Sequence, residues 1–479
     1  MNRYVISIIK NLLILILILF SSQAFAQKCD CDLYYKWLKS TFERNDAGFK
    51  YILESKGQER YDRHNENISR KVSQETDLNK CTIILKEWLT FFRKFHIGLY
   101  PNAPDVKNRL TVSMDLKPKK SNEIDKLIKS MQNKLPSSIE GIWKTNNYEI
   151  LINQERKNYV GYIVQSANQS WKKGDVKFTF SSNLGSGVYW AGDHSADTIS
   201  KISFSGNKYL TLDDLTLEKA TPFIKLEPQQ AFKYKVKFAT EPFIERLDEK
   251  TLYIKIPSFG LDQKAILDSL TNHWKSELTT TKNLIIDVRG NGGGADKTYN
   301  KLLPFTYTNP IHRNQLEFYS SEMNNKNWIE LSKNKNLSTK EKLLFTDFAN
   351  RLQANIGGFE RIFKEDISII KLDSVYRNPE KIAVITDKHT ASAAEQFILD
   401  LKQSWKVKTF GNQTAGALDV ANISTTESPD KKLTLVYSTS RFITIGKLVI
   451  DDVGILPDYY IDDKISEEAW VKFILDRMH

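Results

Sequence analysis

The chain has 479 residues, enough for two or three domains, and its 41% hydrophobic and 11% aromatic content is that of a globular protein, not a disordered one. Its formal net charge of +11 comes from 69 Lys and Arg residues that are scattered among 58 Asp and Glu residues. A tail that binds nucleic acid would concentrate its basic residues, so this pattern favours a solvated basic surface and argues against a nucleic-acid partner.

The first 26 residues have the pattern of a secretory signal peptide. Arg3 and Lys10 give a positive start, an apolar run leads to Phe20, and the Ala-Phe-Ala of residues 24–26 is a small-x-small cleavage pattern. Cleavage is expected before Gln27, so we expect export to the periplasm or to the outside of the cell. The alternative is an uncleaved membrane anchor, for which the apolar run is short, and no second stretch is apolar enough to cross a bilayer.

Three cysteines follow the predicted cleavage point, namely Cys29, Cys31 and Cys81. Because exported chains keep disulfides, we expect Cys81 to pair with Cys29 or with Cys31, which leaves one free thiol. Two cysteines one residue apart make a poor metal site without further close ligands. The sequence has no H-E-x-x-H motif and no clustered Cys and His residues, so it predicts no metal site.

Hydrophobic spacing predicts a helical N-terminal region over residues 27–103. Apolar residues recur there at helical spacing in two runs, Leu33, Trp37, Leu38 and Phe42, and then Ile84, Trp88, Phe91, Phe92 and Phe95.

Residues 104–225 are predicted to form a β-rich domain. Short segments such as 148–152, 159–164 and 176–180, separated by Gly and Asn turns, predict a small antiparallel barrel or sandwich. Its tryptophans are expected to form its core rather than a ligand platform: Trp143, Trp171 and Trp190.

Residues 226–479 are predicted to form an α/β core. Hydrophobic strands are expected at 252–256, 283–289 and 382–386, and helices at 265–274 and 391–403. Alternating strands and helices imply a mostly parallel sheet that is covered on both sides. The lysine-rich stretch 308–373 has no clear pattern.

Ser392 lies in a segment that can support nucleophilic chemistry. A strand ends at Thr386, and the segment Thr390-Ala391-Ser392-Ala393-Ala394-Glu395 then opens a helix. A serine at such a turn lies beside free backbone N–H groups, which can bind a developing oxyanion. Taken alone, the segment favours a simple helix N-cap serine.

A glycine-rich loop follows the strand at 283–289. Its sequence from Asp287 to Gly294 is D-V-R-G-N-G-G-G, and such glycines let a backbone approach a ligand closely. The run also fits a loose dinucleotide fingerprint, but the following segment offers no second strand closed by an acid, so we set that interpretation aside.

Four motifs in order resemble the carboxy-terminal processing (tail-specific) protease family. They are D-x-R-x-N-x-G-G, T-x-S-A-x-E, G-E-x-T-x-G (here with Asn412 in place of Glu) and G-x-x-P-D, at 287–294, 390–395, 411–416 and 454–458. The resemblance covers about half of the chain. It implies a crotonase-like (ClpP-like) spiral α/β core, here with an N-terminal helical region and an inserted small antiparallel β-domain.

One departure from the family pattern directs the choice of base. Many members use a Ser–Lys dyad, but the position of the lysine is Ala417 here. The chain instead resembles the tricorn-type branch, whose base is an upstream histidine. His96 matches that branch's x-H-x-x-L segment, and Asp451 occupies the place of the branch's orienting glutamate. His389 is a weaker candidate because it lies three residues before Ser392, on the same turn.

The resemblance implies a secreted serine endopeptidase that acts on proteins or peptides. Ser392 would form an acyl-enzyme with His96 as general base, and the N–H groups of Gly293 and Ala393 would hold the oxyanion. Such a mechanism needs no cofactor, and no signature of a peptide-binding PDZ domain was found. The alternative is a catalytically inactive peptide- or ligand-binding protein on the same core, in which Ser392 is only a helix cap.

Overall fold

The computed structural model describes residues 29–102 and 117–478, apart from positions 193, 195, 214 and 463. The predicted signal peptide therefore lies outside the described residues. The chain divides into two compact units, one made of the residues up to Asn102 together with those from Ala239 onward, and one that ends at Phe238. No helix in this described part is both long and apolar enough to cross a membrane.

The N-terminal region is helical, as predicted. Its elements are α1 (Cys31–Asn45), α2 (Phe49–Lys56), α3 (Gln58–Val72), α4 (Leu78–Leu89) and a short strand, β1 (Gly98–Pro101). The carboxylates of Asp30 and Asp77 accept backbone N–H groups in the first turns of α1 and α4. Trp88 packs edge-on against Phe42 and Phe92 with ring centroids 5.7 and 4.9 Å apart, so the two apolar runs of the sequence share one core.

A disulfide between Cys31 and Cys81 joins the start of α1 to α4 and closes a loop of 50 residues. Cys29 is the free thiol, and burial raises its pKa. Of the two pairings that the sequence left open, the structure has the one with Cys31.

The second unit is a β-domain with two helices. Its elements are α5 (Ser121–Met131), β2 (Gly141–Lys144), β3 (Tyr148–Glu155), β4 (Asn158–Ser166), β5 (Val176–Ser181), β6 (Gly187–Trp190), β7 (Ala196–Ile199), β8 (Ile202–Ser205), β9 (Tyr209–Leu212), β10 (Leu215–Thr221) and α6 (Pro228–Lys237). Among its described residues, nine strands form one antiparallel sheet in the order β7-β6-β5-β4-β3-β2-β10-β9-β8. Trp143 and Trp171 are buried in its core and Trp190 packs against them, as predicted.

The remaining elements belong to the first unit. They are β11 (Phe243–Asp248), β12 (Thr251–Lys255), α7 (Lys264–His273), α8 (Lys275–Thr280), β13 (Asn283–Asp287), α9 (Leu303–Thr306), β14 (Ile311–Asn314), β15 (Leu316–Tyr319), α10 (Glu322–Ser332), α11 (Thr339–Ala354), β16 (Phe359–Glu360), β17 (Ile367–Ile370), β18 (Lys381–Thr386), α12 (Ala393–Leu401), β19 (Val407–Gly411), β20 (Val420–Glu427), β21 (Leu433–Phe442), β22 (Tyr459–Tyr460) and α13 (Glu467–Met478).

The central sheet of this unit is mostly parallel, as predicted. Among the described strands its order is β11-β12-β13-β18-β19-β22, and only the β11–β12 pair is antiparallel. Every residue of β12 and β13 is buried, which explains why these strands are continuously hydrophobic in sequence. The carboxyl ends of β13 and β18 lie side by side, and the glycine-rich loop and Ser392 follow these two ends.

A second sheet joins the N-terminal region to the α/β core. Strand β1 pairs with β21, with Leu99 opposite Leu435, and β21 also pairs with β15 and β20. Leu99, Leu433 and Leu435 are buried in the same cluster as Phe42 and Trp88. The segment that contains His96 is therefore attached to the core by strand pairing and by a shared hydrophobic cluster.

We expect the disulfide to stabilise this N-terminal cluster. Closing a loop of 50 residues reduces the entropy of the unfolded chain, so Cys81→Ser should lower the free energy of unfolding by about 4 kcal/mol at most. Denaturant unfolding measures the change, with Cys29→Ser as the matched control, which should stay within about 0.5 kcal/mol of the parent. A large loss in Cys29→Ser together with none in Cys31→Ser would show that Cys29 is the true partner of Cys81.

Candidate active site

Ser392 lies on a sharp turn between β18 and α12. Its backbone has φ 57° and ψ −121°, a left-handed value that is costly for a residue with a side chain. Ser392 is the N-cap residue of α12, but an ordinary helix cap has extended backbone and carries no such strain, so its conformation is not that of a simple N-cap serine. Strain of this kind persists only where the surrounding structure imposes it.

The glycine-rich loop packs directly against this turn. A Cβ atom on Gly293 would lie 2.7 Å from the Cβ of Ser392 and 2.9 Å from the backbone nitrogen of Ala393. Gly293 also has φ +99°, so both the space and the backbone require glycine there. The Ala391 N–H donates to the Asn291 carbonyl at 2.9 Å, which holds the two motifs side by side.

Asp287 anchors the start of this loop. Its buried carboxylate accepts hydrogen bonds from the Tyr253 hydroxyl at 2.6 Å and from the Arg289 guanidinium at 2.5 Å, and Lys255 lies at 3.2 Å. Burial acts to raise the pKa of Asp287, but Lys255 and Arg289 outweigh it and hold that pKa well below its ordinary value. The D-x-R part of the first motif is therefore structural.

Of the two predicted oxyanion donors, one is open and one is engaged. Within the part of the chain that the structure describes, no acceptor takes the Ala393 N–H, which lies at the N-terminus of α12. The Gly293 N–H, by contrast, donates to the Asn291 side chain at 2.9 Å. The Asn291 amide in turn donates to the Ile256 carbonyl at 3.2 Å, which fixes the orientation of this acceptor.

The carboxylate of Glu395 joins the turn that carries Ser392 to the loop 412–419, which follows β19. It accepts the N–H of Ser392 at 2.9 Å, and from the loop it accepts the Thr414 hydroxyl at 2.6 Å and the N–H groups of Gly416 and Ala417 at 2.8 Å each. The side chain is fully buried, and burial raises its pKa while these bonds act against that rise. We did not assign Glu395 a role from sequence, although its place in the T-x-S-A-x-E motif was the available signal.

His96 is held by a backbone carbonyl. Its Nδ1 lies 2.6 Å from the Val420 carbonyl oxygen, and since a carbonyl only accepts, Nδ1 carries the proton and Nε2 is left as the acceptor. Burial lowers the pKa of His96 below its ordinary value, so the imidazole is neutral at neutral pH. The helical spacing of apolar residues in the sequence extends to Phe95, but α4 ends at Leu89, and His96 adopts a left-handed φ of 54° in the segment that follows.

A buried ion pair fixes this segment. Arg93 donates to both carboxylate oxygens of Asp46, at 2.9 and 2.5 Å, and its guanidinium also donates to the His96 carbonyl at 3.1 Å. Asp46 in turn accepts the N–H of Ser438 on β21 at 3.0 Å. Because both charged groups are almost fully buried, removing either one would leave the other unpaired, at considerable cost.

Asp451 does not contact the imidazole as the sequence led us to expect. Its carboxylate accepts the backbone N–H groups of Leu418 at 2.6 Å, Asp419 at 2.7 Å and Val420 at 3.3 Å. The position is adjacent to His96 through Val420, but the Nδ1 partner is the Val420 carbonyl, which occupies the place foreseen for a carboxylate.

Other basic groups near Ser392 in sequence are exposed or are bound to other residues. His389 is exposed, and its backbone N–H donates to Asp387. Lys402 pairs with Asp458 of the fourth motif at 2.6 Å, and Lys406 donates to the Tyr376 carbonyl. Ala417, which occupies the position of the lysine in members with a Ser–Lys dyad, is buried, and its N–H donates to Glu395. Within the described residues, no group of His, Cys, Asp and Glu side chains could hold a metal ion.

Comparison with known proteins agrees with the four motifs. Residues 250–461 match the model of peptidase family S41. The chain has the fold of mature CPAF, solved in complex with lactacystin, at 11% identity and a TM-score of 0.50, over 94% of this chain and 97% of that one.

Two further solved structures were matched at lower TM-scores. The photosystem II D1 C-terminal processing protease is matched at 12% identity and a TM-score of 0.37, over 92% and 95% of the two chains. A putative peptidase from Parabacteroides merdae is matched at 16% identity and a TM-score of 0.35, over 53% of this chain and 70% of that one. No curated protein sequence was matched.

Substitution of Gly293 tests this geometry. A methyl group 2.7 Å from the Cβ of Ser392, on backbone that disfavours side chains, should displace the nucleophile turn, so Gly293→Ala should slow labelling of Ser392 by a fluorophosphonate probe about 100-fold. The matched control is Gly292→Ala, because a Cβ there meets nothing within 4 Å. Equal labelling rates in the two folded variants would contradict the close approach of loop and turn.

Proposed function

We propose that this chain, which belongs to peptidase family S41 and is a serine peptidase, is an exported endopeptidase with Ser392 as nucleophile and His96 as general base. The observation that carries the proposal is the strained Ser392 turn, packed against Gly293 with the Ala393 N–H free for a ligand. Its substrates are proteins or peptides. The chemistry is carried by groups of the chain itself.

The state of His96 supports its role as the base. An imidazole with Nδ1–H bound to a carbonyl presents Nε2 as the only acceptor, and its lowered pKa keeps it neutral at neutral pH. In the proposed mechanism Nε2 removes the proton of the Ser392 hydroxyl as Oγ attacks the peptide carbonyl carbon. Nε2 then gives this proton to the leaving amine as the C–N bond breaks, which leaves an acyl-enzyme on Ser392.

Water completes the proposed cycle. Nε2 removes a proton from the water as its oxygen attacks the acyl carbon, and the proton returns to Oγ of Ser392 as the ester bond breaks. The products are a carboxylic acid and free enzyme. In both steps the oxyanion accepts a hydrogen bond from the N–H of Ala393. Gly293 supplies the second donor once its N–H leaves the side-chain oxygen of Asn291 and binds the oxyanion.

Export is supported by two independent features. The first is the sequence pattern of residues 1–26. The second is the Cys31–Cys81 disulfide, because disulfides persist in oxidising compartments and are rare in the cytosol. Both features support export to the periplasm or to the outside of the cell.

One observation favours the alternative of a binding protein without hydrolytic activity. The Gly293 N–H is engaged by Asn291, so a single oxyanion donor stands open. Loss of one such donor typically costs an enzyme 100-fold or more in rate. A fluorophosphonate probe separates the two functions, because covalent capture requires an activated serine and peptide binding does not.

Two substitutions test the proposed pair. Ser392→Ala and His96→Ala should each reduce hydrolysis of an unfolded protein substrate by about 10⁴-fold or more, since residues that act as a unit lose most of the rate when either is removed. The matched control is His389→Ala, which removes an exposed histidine close to Ser392 in sequence and should retain activity.

The measurement is the initial rate of proteolysis, with circular dichroism to show that each variant is folded. If Ser392→Ala keeps the parent rate, the serine mechanism is wrong. If only His389→Ala loses activity, the base has been assigned to the wrong histidine.

A further inference from the structure

Two buried aspartates hold two loops together by reciprocal hydrogen bonds. Asp451, in the loop that follows β21, accepts the N–H groups of Leu418, Asp419 and Val420. Asp419, in the loop 412–419, accepts the N–H groups of Ile450 and Asp451 at 2.7 and 2.8 Å. Each carboxylate thus fixes the backbone that carries the other, an arrangement called here the aspartate clamp (Asp419 and Asp451).

The clamp ends at the residue that holds the imidazole. Val420 gives its N–H to Asp451 at 3.3 Å and takes the Nδ1–H of His96 on its carbonyl at 2.6 Å. A second contact runs beside it, because the Lys94 N–H donates to the carboxylate of Asp452 at 3.2 Å. Any movement of residues 418–420 relative to residues 450–452 is therefore transmitted to His96.

We propose that Asp419 and Asp451 are positioning residues that set the orientation of His96 through the Val420 carbonyl. This inference rests on the proposed function of His96 as the base. Asp451 then acts on the imidazole indirectly, through the backbone of Val420. Asp419, which no sequence motif marked, contributes to the same arrangement by holding the backbone of Asp451. Asp451 must be ionised for both of its oxygens to accept, because a protonated carboxyl would turn an O–H donor toward N–H donors. Asp419 accepts both of its N–H groups on a single oxygen.

The electrostatic surroundings make the clamp sensitive to pH near neutrality. Burial, and then the charge of Asp419, raise the pKa of Asp451 to about 7, and burial raises the pKa of Asp419. The charged group that acts on Asp451 from outside the pair is Arg93, whose charge is shared with Asp46. Asp452 is the next residue of the same loop. His96, whose pKa is lowered by burial, is hydrogen-bonded to the Val420 carbonyl.

Stability and activity should therefore respond to pH in opposite directions. Because the folded chain holds the Asp451 proton up to a pKa of about 7, above the value in the unfolded chain, this group lowers the free energy of unfolding as pH rises from about 4 to 7. Activity should rise over the upper part of the same range, because the clamp is complete only when Asp451 is ionised. The acid limb of the rate profile should contain two ionisations, Asp451 above and His96 below.

Two substitutions of Asp419 separate charge from hydrogen bonding. In Asp419→Asn the side-chain oxygen can still accept both N–H groups, so the clamp persists without its negative charge. The upper ionisation of the acid limb should then move to lower pH, with kcat at neutral pH within about twofold of the parent. In Asp419→Ala both bonds are lost, and kcat should fall about 100-fold with little change in KM, since a displacement of about 1 Å is enough for such a loss.

Asp451→Asn and an exposed control complete the set. Asp451→Asn cannot ionise, so its acid limb should keep only the His96 ionisation. Asp476→Asn, on the exposed face of α13, should reproduce the parent profile. An acid limb that keeps two ionisations in Asp451→Asn, together with an upper ionisation that does not move in Asp419→Asn, would overturn the proposal.

A readout that does not depend on hydrolysis keeps this test distinct from that of the proposed function. The downfield NMR resonance of the His96 Nδ1–H reports its bond to the Val420 carbonyl in the full chain. It should persist in Asp419→Asn and disappear or broaden in Asp419→Ala, while fluorescence-detected unfolding shows that both are folded. If the resonance is unchanged in folded Asp419→Ala, the clamp does not position His96, whether or not the parent cleaves peptides.

Discussion

The buried carboxylate of Glu395 is the contact on which the arrangement of the site depends. A carboxylate removed from water is stable only when its oxygens accept hydrogen bonds. Here the donors are the Ser392 N–H and three groups of the loop 412–419. The strained turn and the loop are therefore fixed relative to one another. Since that loop leads directly into Val420, whose carbonyl binds His96, the Glu395 carboxylate relates the position of Ser392 to that of the residue that holds His96.

The acceptor that binds Nδ1 of His96 is a carbonyl instead of a carboxylate, and this difference affects the pKa of the imidazole. A neutral acceptor fixes the tautomer and the ring orientation as well as a carboxylate would, but it stabilises a positive imidazolium less. Burial, and then the nearby charge of Arg93, lower the pKa of His96, and the bond to the Val420 carbonyl raises it too little to offset them. The carboxylate of Asp451 instead accepts backbone N–H groups, and burial, followed by repulsion from Asp419, raises its pKa.

The sequence predicted those parts of the site that depend on local order along the chain. Ser392, Gly293 and Ala393 could be placed because strand, small residues and helix follow one another directly, so their juxtaposition follows from a parallel sheet. The conformation of His96 could not be predicted, because it depends on the Arg93–Asp46 pair, whose members are far apart in sequence. Asp451 was found at the right loop but with a different partner, and Asp419 carried no signal, because its role exists only where two loops meet.

His96 lies on an N-terminal segment that is held by strand pairing, so the site can form only after that pairing has formed. The proposed base and the proposed nucleophile are separated by about 300 residues, and the segment of His96 is held by β1 pairing with β21, which follows Ser392 in the chain. In a chain that is still being synthesised, His96 and Ser392 can both be present before β21 exists to hold the segment of His96. Under the proposed mechanism, an intermediate that lacks this strand pairing therefore has no positioned base for Ser392.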